Sequence, residues 1–275
     1  MKSFRIVFGL LLPLFTACEG GLDLMDSKEG DSAEEIWINK DTLTVAHWNI
    51  GHMAQGKSND TTISKENADS MAIVYHSLLD TLNVDLIGIC EYNAVFSKKN
   101  ESTRETLFGD YPYFASGRQF NYNFNVIFSH IPLYNEQSFN FEQRTQQRYY
   151  LEVTLKINGH EVKFVETHLD WNEGSTGRMH RAQQMKDLAD YYSEEPYVII
   201  CADYNTSATS EYDIFPEYGY SVANDGQLLT YPASNPNRVT DNIIYKGFQQ
   251  LSIEEIHSPQ LSDHCLLKCE LRLVE

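Results

Sequence analysis

The chain has 275 residues, and its hydrophobic content of 42% excludes disorder of the whole molecule. Aromatic residues make up 12% of the sequence, which favours a strand-rich or mixed α/β fold over a helical bundle. The formal net charge of −18 disfavours nucleic acid as a partner, because attraction to phosphate backbones needs clustered Lys and Arg, although bound cations can reverse the local field.

The first residues have the pattern of a targeting segment. Two basic residues precede an apolar run over residues 6–15, which is too short to span a bilayer, and Thr16-Ala17-Cys18 follows it. This ending is similar to the lipobox of bacterial lipoproteins, which predicts that residues 1–17 are a signal peptide and that Cys18 is lipidated. The alternative is ordinary secretion, with Cys18 as an incidental thiol.

Residues 18–41 are acidic and rich in Gly, Ser and Asp, which predicts a flexible spacer between the lipid and a domain. A single domain over residues 42–275 is the simplest division of the remainder, since no internal repeat follows the spacer. No later apolar run approaches the roughly 20 residues that a membrane-spanning helix needs. We therefore expect a monomer that is exported from the cytoplasm and lipid-anchored at the bacterial cell envelope.

Short runs rich in β-branched and aromatic residues predict strands along the chain. They cover residues 43–50, 84–92, 125–129, 149–157, 162–168, 197–202, 242–245 and 266–274. Asn158-Gly159 between two of these runs predicts an antiparallel hairpin. Apolar residues at three- and four-residue steps predict one helix from Ala68 to Leu82 and another from Met179 to Tyr192. Each helix leads into a strand, so we expect helices packed on a sheet in an α/β fold.

The cysteines after Cys18 do not have the spacing of a disulfide framework. Cys90 and Cys201 lie inside apolar strand-like runs, and Cys265 and Cys269 are too far apart along one strand to bridge each other. We expect buried free thiols.

Several predicted strands begin or end next to a polar side chain that their apolar pattern does not require. These polar residues are Asn49, Glu91, His168, Asp203, Asn205, Asp241, Asp263 and His264. Taken singly, most of them could serve turns or helix caps. Glu91 is harder to explain in this way, because a carboxylate after an apolar strand is costly to bury without a cation or donors. Together they predict a site at the strand ends.

This set contains the groups that hydrolysis of a phosphate ester needs. Glu91 and Asp263 offer oxygen ligands to a hard cation. The candidate donors to phosphate oxygens are Asn49, Asn205 and His168. Asp203, or a histidine paired with a carboxylate, can take the proton of an attacking water, so that no Ser or Cys nucleophile is implied.

In their order along the chain, these motifs resemble the endonuclease/exonuclease/phosphatase family, whose members are deoxyribonuclease-like metal-dependent phosphoesterases. The matching segments are Trp48-Asn49-Ile50, Glu91, Thr167-His168-Leu169, Ala202-Asp203-Tyr204-Asn205, Asp241-Asn242-Ile243-Ile244 and Ser262-Asp263-His264. The resemblance implies a four-layer α/β sandwich, with two mixed β-sheets packed face to face and helices outside. It also implies hydrolysis of a phosphodiester or phosphomonoester by an activated water.

The resemblance also implies a role for each residue. Glu91 would bind Mg²⁺ or Mn²⁺ with help from Asp263, while Asn49 and Arg148 would bind phosphate. Asp203 would position or deprotonate the water. The remaining catalytic residues would be His168 and Asn205, which steady the phosphoryl oxygens, and Asp241, which pairs with His264.

Three positions depart from the family pattern and leave the subfamily open. Cys90 replaces the usual Gln before Glu91, Ala202 replaces the usual Gly before Asp203, and Cys265 follows His264 where Pro is common nearby. A lipid or small phosphate ester suits the anchor and the acidic charge better than a nuclease substrate does. The alternatives are a secreted nuclease of the same family and a non-catalytic binding protein on the same fold.

Overall fold

The computed structural model describes residues 35–54, 65–93, 107–117, 123–145 and 147–274. Cys18, the predicted signal peptide and most of the predicted spacer lie outside the described residues, so lipidation stays a prediction. In the described part of the chain, no helix combines the length and the apolar character that crossing a membrane requires.

The compact domain begins at Ile36, earlier than the predicted boundary at residue 42. The reason is backbone pairing by Ile38, whose N–H donates to the Lys156 carbonyl at 2.9 Å and whose carbonyl accepts from the Asn158 N–H at 2.9 Å. The last residues of the predicted spacer therefore belong to the folded domain.

Two mixed six-stranded sheets form the centre of the domain, with strands numbered in chain order. The first sheet has the spatial order β11 (Phe248–Ile256), β12 (Leu266–Leu273), β1 (Thr42–Asn49), β2 (Leu86–Asn93), β4 (Asn123–Ser129) and β3 (Tyr113–Ser116). The second has the order β5 (Tyr134–Asn140), β6 (Tyr149–Ile157), β7 (His160–His168), β8 (Val198–Asp203), β10 (Asp241–Lys246) and β9 (Ser221–Val222). Every predicted strand is present, and the predicted hairpin joins β6 to β7 in antiparallel fashion.

Helices cover the outer faces of both sheets. Helix α1 (Lys65–Leu82) packs Tyr75 and Leu79 against the first sheet. Helix α2 (Ser175–Tyr191) packs Met185 and Leu188 against the second sheet, beside the short α3 (Ile214–Glu217). Single 3-10 turns cover Gly51–Met53 and Thr209–Asp213. The order helix, sheet, sheet, helix confirms the predicted four-layer α/β sandwich.

The predicted buried face of α2 was wrong in its first half. Met179 is 70% exposed, whereas Arg181 and Gln184 are buried. These two polar side chains hold the preceding loop: Arg181 donates to the carbonyls of Asp170 (3.2 Å) and Asn172 (2.8 Å), and Gln184 accepts from the Asp170 N–H (3.0 Å). Hydrogen bonds to a loop, and not apolar burial, therefore select the inward face there.

The core between the sheets is apolar along most of its length and polar at one end. Val45, Phe164 and Ile199 belong to the apolar part, and all four cysteines of the described residues are free and buried. Because side chains alternate along a strand, the same inward faces continue with later residues of each strand. These are His47 and Asn49 in β1, Glu166 and His168 in β7, and Cys201 and Asp203 in β8.

Strand register brings these polar ends to one edge. In the parallel pair β7 and β8, His168 lies opposite Asp203, and in the antiparallel pair β8 and β10, Asp203 lies opposite Asp241. In the other sheet, Asn49 at the end of β1 lies opposite Cys90 of β2. A site at this edge follows directly from the alternation and the register.

Phe164→Ala tests the inter-sheet core. We expect it to lower the free energy of unfolding by about 3–5 kcal/mol, because the fully buried ring would leave a cavity. Met179→Ala, at a side chain that is 70% exposed, should change the same quantity by less than about 0.5 kcal/mol. Urea titration followed by circular dichroism measures both, and equal losses would contradict this assignment of the core.

Candidate active site

A cavity of about 840 Å³ opens at the polar end of the inter-sheet core. Its walls include Asn49, Glu91, Arg148, His168, Asp203, Asn205, Asp263 and His264. Asp241 lies behind His264, in contact with its ring. The predicted site residues other than Cys18 therefore come together, although they are scattered over more than two hundred residues of sequence.

Asp241 and His264 form a buried ion pair. Nδ1 of His264 lies 2.9 Å from Oδ2 of Asp241, and the Thr240 hydroxyl donates to the same oxygen at 2.9 Å. Burial lowers the pKa of His264, but Asp241 and Asp203 outweigh it and raise this pKa to about 10. Burial also opposes ionisation of Asp241, yet His264 and His47 hold its pKa well below the usual range. The pair is an imidazolium and a carboxylate near neutral pH.

Asp203 lies between donors at the cavity wall. Asn49 Nδ2 donates to its Oδ2 at 2.9 Å, and Nε2 of His168 lies 3.4 Å from the same oxygen. His264 Nε2 is 3.8 Å away. Burial and the neighbouring Asp241 raise the pKa of Asp203 to about 6, so this carboxylate can accept a proton near neutral pH.

Glu91 reaches the cavity because β2 contains a bulge. The register between β2 and β4 shifts between Ile89 and Tyr92, and Glu91 has a φ of 55°. Strict alternation would place Glu91 on the face of Ile89, towards α1. Instead its Oε2 lies 3.0 Å from His52 Nε2, and its Oε1 lies 3.8 Å from His168 Nδ1. Bulges redirect side chains in this way next to functional sites.

The donor chemistry of the wall fits a hard divalent cation. Carboxylates of Glu91, Asp203 and Asp263 line the cavity, and carboxylate oxygens are the ligands that Mg²⁺ and Mn²⁺ prefer. Gly51 makes room for one of them, because a Cβ there would stand 2.8 Å from Asp263 Oδ1. Asp203, Asp241 and His264 also bring ligand atoms within 4.8 Å of one another, but both oxygens of Asp241 already face histidines.

Arg148 supplies a donor that no described residue uses. Its buried Nε has no hydrogen-bond partner among the described residues, and the side chain lines the cavity. Burial lowers the pKa of Arg148, an effect that the charges of Glu91 and Asp203 oppose. A buried donor without an acceptor is costly, and an anion in the cavity would satisfy it.

His168 and Asn205 complete the predicted set. Burial and the charge of Arg148 hold the pKa of His168 well below its usual range, so its imidazole is neutral. Asn205 has a φ of 53°, its N–H donates to Asp203 Oδ1 at 2.8 Å, and its Nδ2 donates to the Leu169 carbonyl at 3.1 Å. These bonds fix the amide at the wall.

Trp171 is an aromatic side chain at the cavity, with 50% of its surface accessible. Asp170 anchors its loop by accepting from the Asn172 N–H at 3.0 Å and by lying 3.1 Å from His180 Nδ1. A Cβ at Gly177 of α2 would stand 1.9 Å from the Asn172 carbonyl, so the loop packs directly on the helix backbone. These contacts hold the backbone of the loop that carries Trp171.

Several wall residues were missed by the sequence analysis. They include His52, Trp171, Tyr231, Arg238 and, behind the wall, His47 and Glu166. His47 and Glu166 precede Asn49 and His168 by two residues on the same strand faces, so the two-residue period could have found them. The residues in loops carry no such signal.

The chain has the fold of the endonuclease/exonuclease/phosphatase family, as its motifs predicted. An endonuclease/exonuclease/phosphatase from Beutenbergia cavernae aligns with a TM-score of 0.67 and 16% identity over 86% of this chain and 72% of that one. A mannosyl-6-phosphatase of Bacteroides thetaiotaomicron aligns with a TM-score of 0.64 and 16% identity over 83% of this chain and 99% of that one.

A humanized TDP2 of D. rerio has a TM-score of 0.68 and 15% identity over 85% of this chain and 100% of that one. No protein-family model and no curated protein sequence matches the chain. The likeness therefore lies in the fold.

Asp203 provides a pH test of the site. In metal-free protein, we expect its carboxyl group to titrate near pH 6 and not at its ordinary value of 3.8, because of burial and Asp241. The folded state then binds this proton more tightly than the unfolded chain, so Asp203 makes the free energy of unfolding fall as pH rises through this window. Carboxyl ¹³C NMR measures the midpoint, and Asp203→Asn assigns the signal. A midpoint near 3.8 would contradict the geometry.

Proposed function

We propose that this protein is a divalent-metal-dependent phosphoesterase that hydrolyses a phosphodiester or phosphomonoester by attack of an activated water. One observation carries the proposal: Glu91, Asp203 and His264, which Asp241 holds from behind, line a single cavity with Arg148, whose Nε has no partner among the described residues. The shared fold supports it as an analogy.

Glu91 and Asp263 are the residues that would hold Mg²⁺ or Mn²⁺, with Asn49 beside them. A bound divalent cation would supply Lewis-acid polarisation of a phosphoryl oxygen. His52, at 3.0 Å from Glu91 Oε2, orients this carboxylate from the side.

Cationic and neutral donors would hold the phosphoryl group. Arg148 offers its Nε, which has no partner in the described part of the chain, and His264 presents an imidazolium edge towards Asp203 and the cavity. His168 and Asn205 would steady the remaining oxygens. Preorganised donors of this kind stabilise the charge that develops in the transition state.

Asp203 is the proposed general base. Asn49 fixes one of its oxygens at 2.9 Å, and the Asn205 N–H fixes the other at 2.8 Å, so the carboxylate has a defined orientation. With its pKa raised to about 6, it is mostly ionised at neutral pH and can take the proton of a water aligned for attack on phosphorus.

The proposed substrate is a small polar phosphate ester, such as a sugar phosphate. The charge of −18 disfavours a long nucleic acid, and Trp171 presents an aromatic face next to Asn172 and the Glu173–Arg238 ion pair. Structures that share the fold include both the mannosyl-6-phosphatase and a TDP2 complexed with single strand DNA product. We further propose that a lipid on Cys18 holds the enzyme at the cell envelope.

Asp203→Asn tests the catalytic proposal. With Mn²⁺ and a bis-aryl phosphodiester or an aryl phosphate, we expect kcat to fall by about 10³-fold or more, because the base is lost. Asp213→Asn, an exposed acid outside the cavity, should keep the activity, and EDTA should abolish it. Hydrolysis that survives both Asp203→Asn and EDTA would refute the proposal. Wild-type protein that hydrolyses no ester would favour the alternative of a binding protein on this fold.

Trp171→Ala tests the substrate class. We expect KM for a hexose phosphate to rise about two- to tenfold with little change in kcat, because a stacking surface would be lost. Tyr191→Ala removes an exposed aromatic ring of α2 outside the cavity and should leave KM unchanged. Steady-state kinetics on sugar phosphate, phospholipid, RNA and plasmid DNA separate the classes, and preferential cleavage of DNA or RNA would favour the nuclease alternative.

A further inference from the structure

A fully buried histidine and glutamate lie behind the cavity, in the space between the two sheets. His47 Nδ1 is 3.1 Å from Glu166 Oε2, and His47 Nε2 is 3.2 Å from Asp241 Oδ1. Both side chains are 0% exposed. Neither lines the cavity, so neither contacts a ligand there.

These contacts extend the Asp241–His264 pair into a chain of four side chains. The order is Glu166, His47, Asp241 and His264, and beyond its end His264 Nε2 lies 3.8 Å from Asp203 Oδ2. Both ring nitrogens of His47 face carboxylate oxygens, and only an imidazolium can donate from both. In agreement, burial lowers the pKa of His47, but Glu166 and Asp241 raise it to about 10.

Stability does not explain this pair. A buried ion pair is often no better for stability than apolar side chains of the same volume, and the inter-sheet core around it is apolar. Glu166 also depends on a glycine opposite it in the other sheet, because a Cβ at Gly88 would stand 2.1 Å from Glu166 Oε2. Groups that break the local apolar pattern in this way are typical of functional sites.

The geometry shows what His47 does for the site. Asp241 accepts from His264 and Thr240 on Oδ2, and His47 occupies its Oδ1. Without His47, Oδ1 would be a buried acceptor with no donor from that side, and the carboxylate could turn or take up a proton. Either change would loosen His264 at the cavity wall.

We propose that His47 and Glu166 are positioning residues of the active site: Glu166 fixes His47, His47 fixes Asp241, and Asp241 fixes His264 towards Asp203. Outer contacts of this kind set the orientation and charge of groups that touch the substrate. The inference rests on the proposed phosphoesterase function for its kinetic consequence and on geometry alone for its spectroscopic consequence.

A metal site is the competing interpretation of the same cluster. His47, Cys90 and Glu166 bring ligand atoms within 4.8 Å of one another. His47 Nδ1 already faces Glu166 and His47 Nε2 already faces Asp241, so neither ring nitrogen is left to bind a metal ion. The hydrogen-bonded chain therefore fits the observations better.

A double-mutant cycle tests the positioning role. We expect His47→Phe to lower kcat by about 10–100-fold with little change in KM, and Glu166→Gln to act in the same direction. In an Asp241→Asn background, the same changes should have almost no further effect on kcat, because they act through Asp241. If His47 and Glu166 had only a structural role, the losses in kcat from their variants and from Asp241→Asn would be independent and would multiply.

A matched control separates positioning from burial of charge. Glu152 is a buried carboxylate of β6 outside the cavity, bound by Tyr192 at 2.7 Å and by Lys163 at 3.3 Å. Glu152→Gln should lower the free energy of unfolding without changing kcat. If His47→Phe does not fold, the double-mutant cycle is measured with Glu166→Gln, which keeps the shape of the side chain.

A second readout needs no substrate. In metal-free protein at fixed pH, Glu166→Gln should shift the ring N–H signal of His264, two hydrogen-bonded side chains away, in ¹H–¹⁵N NMR, whereas Glu152→Gln should leave it unchanged. An unshifted His264 signal, or wild-type kcat in folded His47→Phe and Glu166→Gln, would overturn the inference. So would stoichiometric zinc that survives dialysis against EDTA and is lost in His47→Phe. Wild-type protein inactive on every ester, with the NMR shift present, would overturn the proposed function alone.

Discussion

The contact of Asp241 with two imidazole rings is the interaction on which the polar end of the core depends. Three carboxylates, of Glu166, Asp203 and Asp241, are at most 1% exposed, and a buried carboxylate is expensive unless cations and donors surround it. The rings of His47 and His264 supply those cations at 3.2 and 2.9 Å from Asp241. Acidic side chains and imidazole rings alternate from Glu166 to Asp203, so each acid lies beside a ring nitrogen. This alternation allows a sandwich of two apolar sheets to end in a charged cavity.

The loop that carries His264 is tied to the same region by backbone contacts. Trp48 Nε1 donates to the His264 carbonyl at 3.1 Å, and the Ser262 hydroxyl donates to the Asn49 carbonyl at 2.7 Å. The Tyr75 hydroxyl of α1 donates to the carbonyl of Leu261. The Trp48-Asn49 and Ser262-Asp263-His264 motifs are thus parts of one structure. Ser262 has a structural role, because its hydrogen bond ties the loop to the end of β1.

The fold and most of the site were predictable because side chains alternate between the two faces of a strand, with a period of two residues. Asn49, His168 and Asp203 lie on inward strand faces, where alternation from Val45, Phe164 and Ile199 places them. Glu91 was named correctly as a cavity residue, but its path there depends on a bulge that alternation does not contain. The strands β5 and β11 escaped prediction because they are edge strands whose side chains are largely exposed and polar. Met179 was misplaced because the inward face of α2 is chosen by hydrogen bonds to a loop.

Acidic side chains and a buried guanidinium line the same cavity. Carboxylates of Glu91 and Asp263 line one wall, and within the described residues the Arg148 Nε has no acceptor. A lone cation would bind the acids and leave the Arg148 Nε without an acceptor among the described residues, while a lone anion would bind Arg148 and leave the acids without a cation. A divalent cation together with a phosphate group satisfies both, and the anion would also shield the imidazolium of His264. The arrangement therefore argues for a bound pair of opposite charges, which a metal-dependent phosphoesterase forms when its substrate arrives.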